Sequence, residues 1–230
     1  MLAQRDKELY LAQLAALAER HDEVIDHMKQ VVATGPELSM DERNVLSVAY
    51  KNKVGMLRSA FRATSVASSK TASREEVEYA EEYKKKAQEE GIRTCEEIIT
   101  MLEDQLVPNA TEAEAKIFFL KNRADYYRYI AELKGGDEAV ATAAKANQEA
   151  LNSVQDHLPA THPIRLGMAL SRAVFSYEIL HLKAEACNIA RQAFDDGLKE
   201  LDEIPKEHYK DSTQILQILR DHLTQWATVV

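Results

Sequence analysis

Residues 37–52, ELSMDERNVLSVAYKN, decide how this chain folds. Ser39 and Glu42 stand three apart, directly before an apolar run. In that arrangement the serine hydroxyl and the glutamate carboxylate can each satisfy a backbone N–H that the first helical turn leaves without a partner. From Val45 onward the apolar residues return at steps of three and four, through Leu46, Ala49, Tyr50 and Val54, which is helical spacing and not strand alternation. The pattern continues through SVAYKNKVGMLRSAFR, residues 47–62, and predicts one long helix.

The same reading extends in both directions. Upstream, Gly35-Pro36 closes an early helical pair within residues 1–34. Downstream, Ser65 to Ser73 is rich in small polar residues and predicts a loop or frayed turn, followed by the charged segment Arg74 to Glu90. Pro108 and Asn109 mark a stop, and Thr111 with Glu114 repeats the capping-box pattern. Gly135-Gly136 ends the next helix, since glycine tolerates the left-handed backbone common at helix ends. A further helix is expected to run to about Leu158. Pro159 and Pro163 then bracket a short connection, with Pro163 suited to a first helical turn. Stops near His181 to Lys183 and at Pro205 complete the series. The fold class is all-α, with about nine helices whose short loops make successive helices antiparallel neighbours. No fixed short period recurs, which argues against a tandem-repeat array.

Composition narrows the function. The 230 residues hold only seven Gly and five Pro and carry a formal net charge of −9, which disfavours general attraction to nucleic acid or an anionic membrane. Cys95 and Cys187 stand alone and far apart, offering neither a disulfide framework nor paired thiols for zinc and suiting a reducing, cytoplasmic setting. The opening MLAQRDKELYLAQL mixes charges into its apolar pattern and does not read as a signal peptide, and no eighteen apolar residues run together. The seven histidines and many carboxylates form no HExxH, GxSxG or glycine-rich phosphate loop. The expectation is no enzyme, no cofactor and no metal.

Two helices carry the chemistry of interest. Lys51, Arg58 and Arg62 are spaced by seven and four, so they share nearly one helical face. In KIFFLKNRADYYRYIAE, residues 116–132, Lys121, Asp125 and Arg128 form one stripe with Tyr129 beside it. A phosphate monoester carries nearly two negative charges and three acceptor oxygens, which guanidiniums, an ammonium and a phenol match. From spacing alone, a solvated basic surface is the better description, since Lys and Arg on a helix usually face water. Likewise, Leu170 with Val174 and Ile215 with Ile218 could line a groove, though by pattern alone they read first as core.

Four ordered segments carry a resemblance that covers essentially the whole chain. ELSMDERNVLSVAYKN (37–52), DYYRYIAE (125–132), THPIRLGMAL (161–170) and HYKDSTQILQILRDHLTQW (208–226) resemble the third, fifth, seventh and ninth helices of 14-3-3 proteins. The resemblance implies a single 14-3-3-like domain over residues 1–230, its helices forming a concave groove. Within it, residues 1–34 would serve dimerisation, 39–134 would carry the phosphate pocket and 137–230 the apolar groove wall. It implies phosphate binding by Lys51, Arg58, Arg128 and Tyr129, supported by Arg62, Lys121 and Asp125. Val48, Leu170, Ser171, Val174, Glu178, Ile215, Ile218, His222 and Trp226 match the peptide groove. The partners implied are phosphorylated client proteins, and a second subunit of the same or a related chain. For that dimer, Arg20 with Glu90 and Glu23 with Lys86 keep charges that pair across the family's interface. Tyr83 matches an interface tyrosine, and Leu14 and Ala18 supply apolar contact.

The departures from the family pattern are specific. Ser171 and His222 stand where the family clamps the ligand main chain with two asparagine amides, each both donor and acceptor. A shorter hydroxyl and a differently shaped imidazole imply a weakened or replaced clamp, and protonation of His222 would add a cation there. Gln214 replaces an apolar groove residue and Phe61 a tryptophan. Ala60 replaces a serine whose phosphorylation is linked to dimer dissociation in many relatives, with Ser59 beside it. Four residues follow Trp226, where the family commonly has a longer acidic tail. The implied function is a phosphoserine- or phosphothreonine-dependent adaptor with altered backbone recognition. The alternative is a scaffold of the same fold that binds unphosphorylated or acidic segments.

Overall fold

A computed structural model of the chain describes residues 3–70, 73–154 and 158–227. Among these residues there is no strand, and nine helices of three turns or more account for the architecture. They are α1 (Gln4–Leu17), α2 (His21–Thr34), α3 (Met40–Lys70), α4 (Arg74–Met101), α5 (Ala113–Lys134), α6 (Asp137–Val154), α7 (Pro163–Glu178), α8 (Lys183–Lys199) and α9 (Lys206–Ala227). The backbone of α4 runs on through a π-helical turn, Leu102–Leu106, and a last helical turn, Val107–Asn109. By internal packing the chain divides into two compact units that meet in sequence at Gly135 and Gly136.

In the first unit α3 packs on α4, α2 and α5, and α1 packs on α2 and α3. Its core is a stripe of Val24, Met28, Val31, Leu46, Tyr50, Val54, Ile98, Leu102 and Tyr126, all nearly sealed from solvent. The Ser39–Glu42 capping box forms as the sequence predicts. The Ser39 N–H donates to the Glu42 carboxylate at 2.8 Å, and the Glu42 N–H donates to Ser39 Oγ at 3.3 Å. That carboxylate also receives Arg5 Nε at 2.7 Å and Nη2 at 2.8 Å, while the same guanidinium donates to the carbonyls of Gly35 and Glu37 at 2.9 Å each. One arginine thus ties α1 to the α2–α3 connection and to the start of α3.

Two expectations need correcting. Residues 65–70 are helix and belong to α3, while residues 71 and 72 lie outside the described set. The hydroxyls there bond back along their own helix, Ser65 Oγ to the Phe61 carbonyl at 2.8 Å and Ser69 Oγ to the Val66 carbonyl at 2.8 Å. Small polar composition therefore does not end the helix. The second capping box does not form. Helix α5 starts at Ala113 with Glu112 as its cap residue and no side-chain cap, and the Thr111 hydroxyl donates to Glu37 instead.

In the second unit α8 packs against α7 and α9, α7 against α9, and α6 against α7. Leu166, Ala173, Ala186, Ala190, Leu216, Leu219 and Trp226 form its core. Gly135 and Gly136 both take positive φ, 67° and 85°, as the helix break before α6 requires. Helix α6 is described as far as Val154, and residues 155–157 of the expected run to Leu158 lie outside the described set. Pro163 is the first residue of α7, and His162 caps it by accepting the Ile164 N–H at Nδ1, 3.2 Å away. Ser212 Oγ on α9 donates to the Thr161 carbonyl at 2.7 Å, which ties the second turn of α9 to the segment leading into α7.

Candidate functional site

The predicted basic residues of the first unit are brought together. Helix α3 supplies Lys51, Arg58 and Arg62, and α5 supplies Lys121, Asp125, Arg128 and Tyr129. Ser47 Oγ donates to Asn122 Oδ1 at 2.9 Å and sets the register of one helix against the other. Tyr129 lies between two guanidiniums, with Arg58 Cζ 4.1 Å and Arg128 Cζ 4.5 Å from its ring centroid. Its ring is braced edge-on by Tyr126, and Tyr126 in turn by Tyr50. Cation–π contact of this kind fixes the planes of both guanidiniums while leaving their edges available.

The charges form a layered set. Asp125, only 3% exposed, accepts from Lys121 Nζ at 2.6 Å and from Arg128 Nη2 at 3.4 Å. Burial by itself would raise this carboxyl, but Lys121, Arg128 and Lys51 together hold it well below the usual carboxylate range. Burial likewise works against the Lys121 ammonium, yet Asp125 keeps its pKa above the ordinary lysine value. The Lys51 ammonium is pushed down to about 8, first by repulsion from Lys121, then by burial, with Arg128 adding to the effect and Asp125 opposing it. A lysine whose largest perturbation is a neighbouring ammonium senses a local surplus of positive charge, the condition an incoming anion relieves.

One residue of the cluster escaped the sequence reading. Glu132 accepts Arg58 Nε at 2.7 Å on Oε2, where Arg58 Nη2 also lies at 2.5 Å, and accepts Arg62 Nε at 2.7 Å on Oε1. The signal was available in principle: Asp125, Arg128 and Glu132 follow at steps of three and four along one stripe of α5. Five cations therefore share the site with two carboxylates, a balance suited to a dianion. Val48, one turn before Lys51 on α3, is exposed.

The profile of the 14-3-3 protein family matches residues 11–227. The chain belongs to the 14-3-3 family. Among its relatives are a 14-3-3 protein homolog of Neospora caninum, 44% identical over 97% of this chain and 89% of that protein, and protein BMH1 of Saccharomyces cerevisiae, 44% identical over 99% and 88%. The 14-3-3-like protein 2 of Caenorhabditis elegans is 46% identical over 94% of this chain and 89% of its own length.

In this 14-3-3 chain the second unit gathers its candidate residues on α7 and α9. Leu170, Val174 and Ile215 are half-buried against the core, whereas Ile218 and Glu178 are exposed. Trp226 is only 4% exposed, stacked on Tyr177 with ring centroids 4.5 Å apart and planes 9° from parallel. His222 stacks on the same indole at 4.9 Å. Burial pulls the His222 pKa below its ordinary value, against the opposing pull of Glu178 and Asp221. Ser171 is buried.

The residues expected at a dimer interface lie on α1 (Leu14), in the turn after it (Ala18, Arg20), on α2 (Glu23) and on α4 (Tyr83, Lys86, Glu90). Tyr10, Leu14 and Leu17 on α1 are exposed at steps of four and three, as are Tyr79 and Tyr83 on α4, with Leu17 at 85% and Tyr83 at 69%. Ala18 and Lys86 are exposed and Glu90 half-exposed. Arg20 and Glu23 pair with each other within the chain. No helix among the described residues is long and apolar enough to cross a membrane.

Proposed function

We propose that this 14-3-3 chain is an adaptor that binds phosphoserine or phosphothreonine segments of client proteins. The supporting observation is the pocket of Lys51, Arg58, Arg128 and Tyr129, in which two guanidiniums are oriented by one phenol ring and a depressed ammonium awaits an anion. Arg62, Lys121 and Asp125 support that cluster. The phosphate would accept charge-assisted hydrogen bonds from both arginines and the lysine, and a bond from the tyrosine hydroxyl. Family membership implies the adaptor role; dependence on phosphate is our reading of the pocket. Val48, Leu170, Val174, Glu178, Ile215, Ile218, His222 and Trp226 would contact the rest of the ligand.

Recognition of the ligand main chain would differ from the family pattern. With Ser171 buried, His222 is left as the main polar group at the two clamp positions, and it offers one donor and one acceptor where two amides offered two of each. The adaptor would act as a dimer of this or a related chain in the cytoplasm. The exposed apolar rows of α1 and α4 would cover each other across subunits, Arg20 and Glu23 exchanging their mutual contact for Glu90 and Lys86. Two linked pockets then gain affinity for doubly phosphorylated clients through effective concentration.

Fluorescence polarisation with a phosphoserine peptide and its unphosphorylated twin tests the reading, with Arg58→Glu as the charge-reversed variant. We expect binding of the phosphorylated form only, with a loss of at least about tenfold in the variant, roughly 1.4 kcal/mol. Equal binding of both forms by the native chain would favour the scaffold for unphosphorylated or acidic segments.

A further inference from the structure

We propose that Glu132 is a positioning residue of the anion pocket, holding Arg58 and Arg62 in the orientation that grips phosphate. The inference rests on the phosphate-binding reading and deepens it. Its carboxylate is buried against both arginines, with side-chain exposure of 11%, and uses one oxygen for each guanidinium. Arg58 gives Glu132 its Nε hydrogen and approaches it with Nη2, the inner edge of the fork. The face of the same guanidinium lies over Tyr129 at 4.1 Å. With one edge and one face fixed, the planar group has a single orientation left, and the Nη1 edge is the part offered to an outside acceptor. A guanidinium carries five N–H donors in rigid geometry, so the two or three that Glu132 does not engage suffice for a bidentate bond to phosphate.

Two roles are physically open to a carboxylate in this place, and they predict opposite signs. As a competitor, Glu132 would occupy Arg58 in the empty site and be displaced by phosphate, so neutralising it would tighten binding. Simple charge counting points the same way, since removing a negative charge favours any anion. As a positioning residue, Glu132 keeps its contact when phosphate arrives, and neutralising it weakens binding despite the gain in net positive charge. The geometry favours the second role. Glu132 takes the Nε side and Tyr129 one face of the guanidinium, so the fork is already aimed before a ligand enters.

The test compares the native chain with Glu132→Gln and Glu132→Asp, using the phosphoserine peptide and its unphosphorylated twin, with the unfolding temperature of each protein measured alongside. We expect Glu132→Gln to weaken phosphopeptide binding by about tenfold, as loss of one oriented charge-assisted contact does. Glu132→Asp, which retains the charge on a shorter stem, should recover part of the loss. Affinity that is unchanged or increased in Glu132→Gln overturns the proposal. A second measurement needs no variant: the Arg58 Nε to Glu132 Oε2 separation, 2.7 Å in the free chain, read from a crystal structure of the native chain with phosphopeptide bound. A contact retained beside the phosphate supports positioning, whereas Arg58 Nε turned from Glu132 to a phosphate oxygen identifies a competitor and overturns the proposal. Failure of the native chain to distinguish the two peptides would instead remove the parent reading, a separate outcome visible before any variant is made.

Discussion

At the scale of single residues, Lys51 makes the sharpest statement about pH. Its ammonium is pushed down to about 8, because Lys121 repels the charge first and burial and Arg128 add to the effect. A bound phosphate favours the charged form, so binding takes up a proton once pH exceeds that value. Affinity for a phosphoserine ligand should therefore fall as pH rises through 8, and should also fall below about pH 6, where the phosphate itself becomes a monoanion. Lys51→Arg, permanently charged, should flatten the alkaline limb in a polarisation titration and leave the acidic limb in place. Resemblance pointed to Lys51, Arg58, Arg128 and Tyr129 in the sequence, and what the structure adds is that the rings and guanidiniums of α3 and α5 meet. Glu132 was not legible, since an acid one turn beyond an arginine is also what any solvated helix contains. The burial of Ser171 was equally hidden: a serine on an amphipathic helix satisfies its hydroxyl against a nearby carbonyl as readily as it faces a ligand.

At the scale of helices, the start of α3 matters more than its length. Glu42 closes the capping box and anchors Arg5, so one carboxylate begins the helix that carries three pocket cations and also secures α1. Ser39→Ala removes only the cap acceptor. We expect a loss of about 1 kcal/mol, read as a fall of about 2–4 °C in the unfolding temperature, with phosphopeptide affinity nearly unchanged because Lys51 lies three turns away. Helix existence was readable nearly everywhere from apolar spacing, and the glycine pair at 135 and 136 was placed correctly by conformational argument. The two mistaken ends share one cause. Hydroxyl side chains have more than one local partner, and composition does not reveal which they choose: those of Ser65 and Ser69 bond within α3, and that of Thr111, just before α5, goes to Glu37.

At the scale of the whole molecule, the exposed rows of α1 and α4 carry the prediction about assembly. Leu17 is the most exposed large apolar side chain on α1 and stands away from the core of the first unit. Leu17→Asp should leave that unit folded while shifting sedimentation from dimer towards monomer, because a charge at the centre of an apolar contact is left without a partner. A native chain that sediments as a monomer at micromolar concentration would remove this part of the reading. The variant should retain its affinity for a singly phosphorylated peptide and lose the avidity gain for a doubly phosphorylated one.

The chain has one tryptophan, and it is the indole packed between Tyr177 and His222. Red-edge excitation, which avoids tyrosine, therefore reports on the second unit alone and leaves the first unit dark. The stacked imidazole also sets the brightness of that lamp, since a protonated histidine quenches indole emission far more strongly than a neutral one. Followed against far-ultraviolet dichroism, which sees every helix, this single emitter tells whether the two units melt together or in turn.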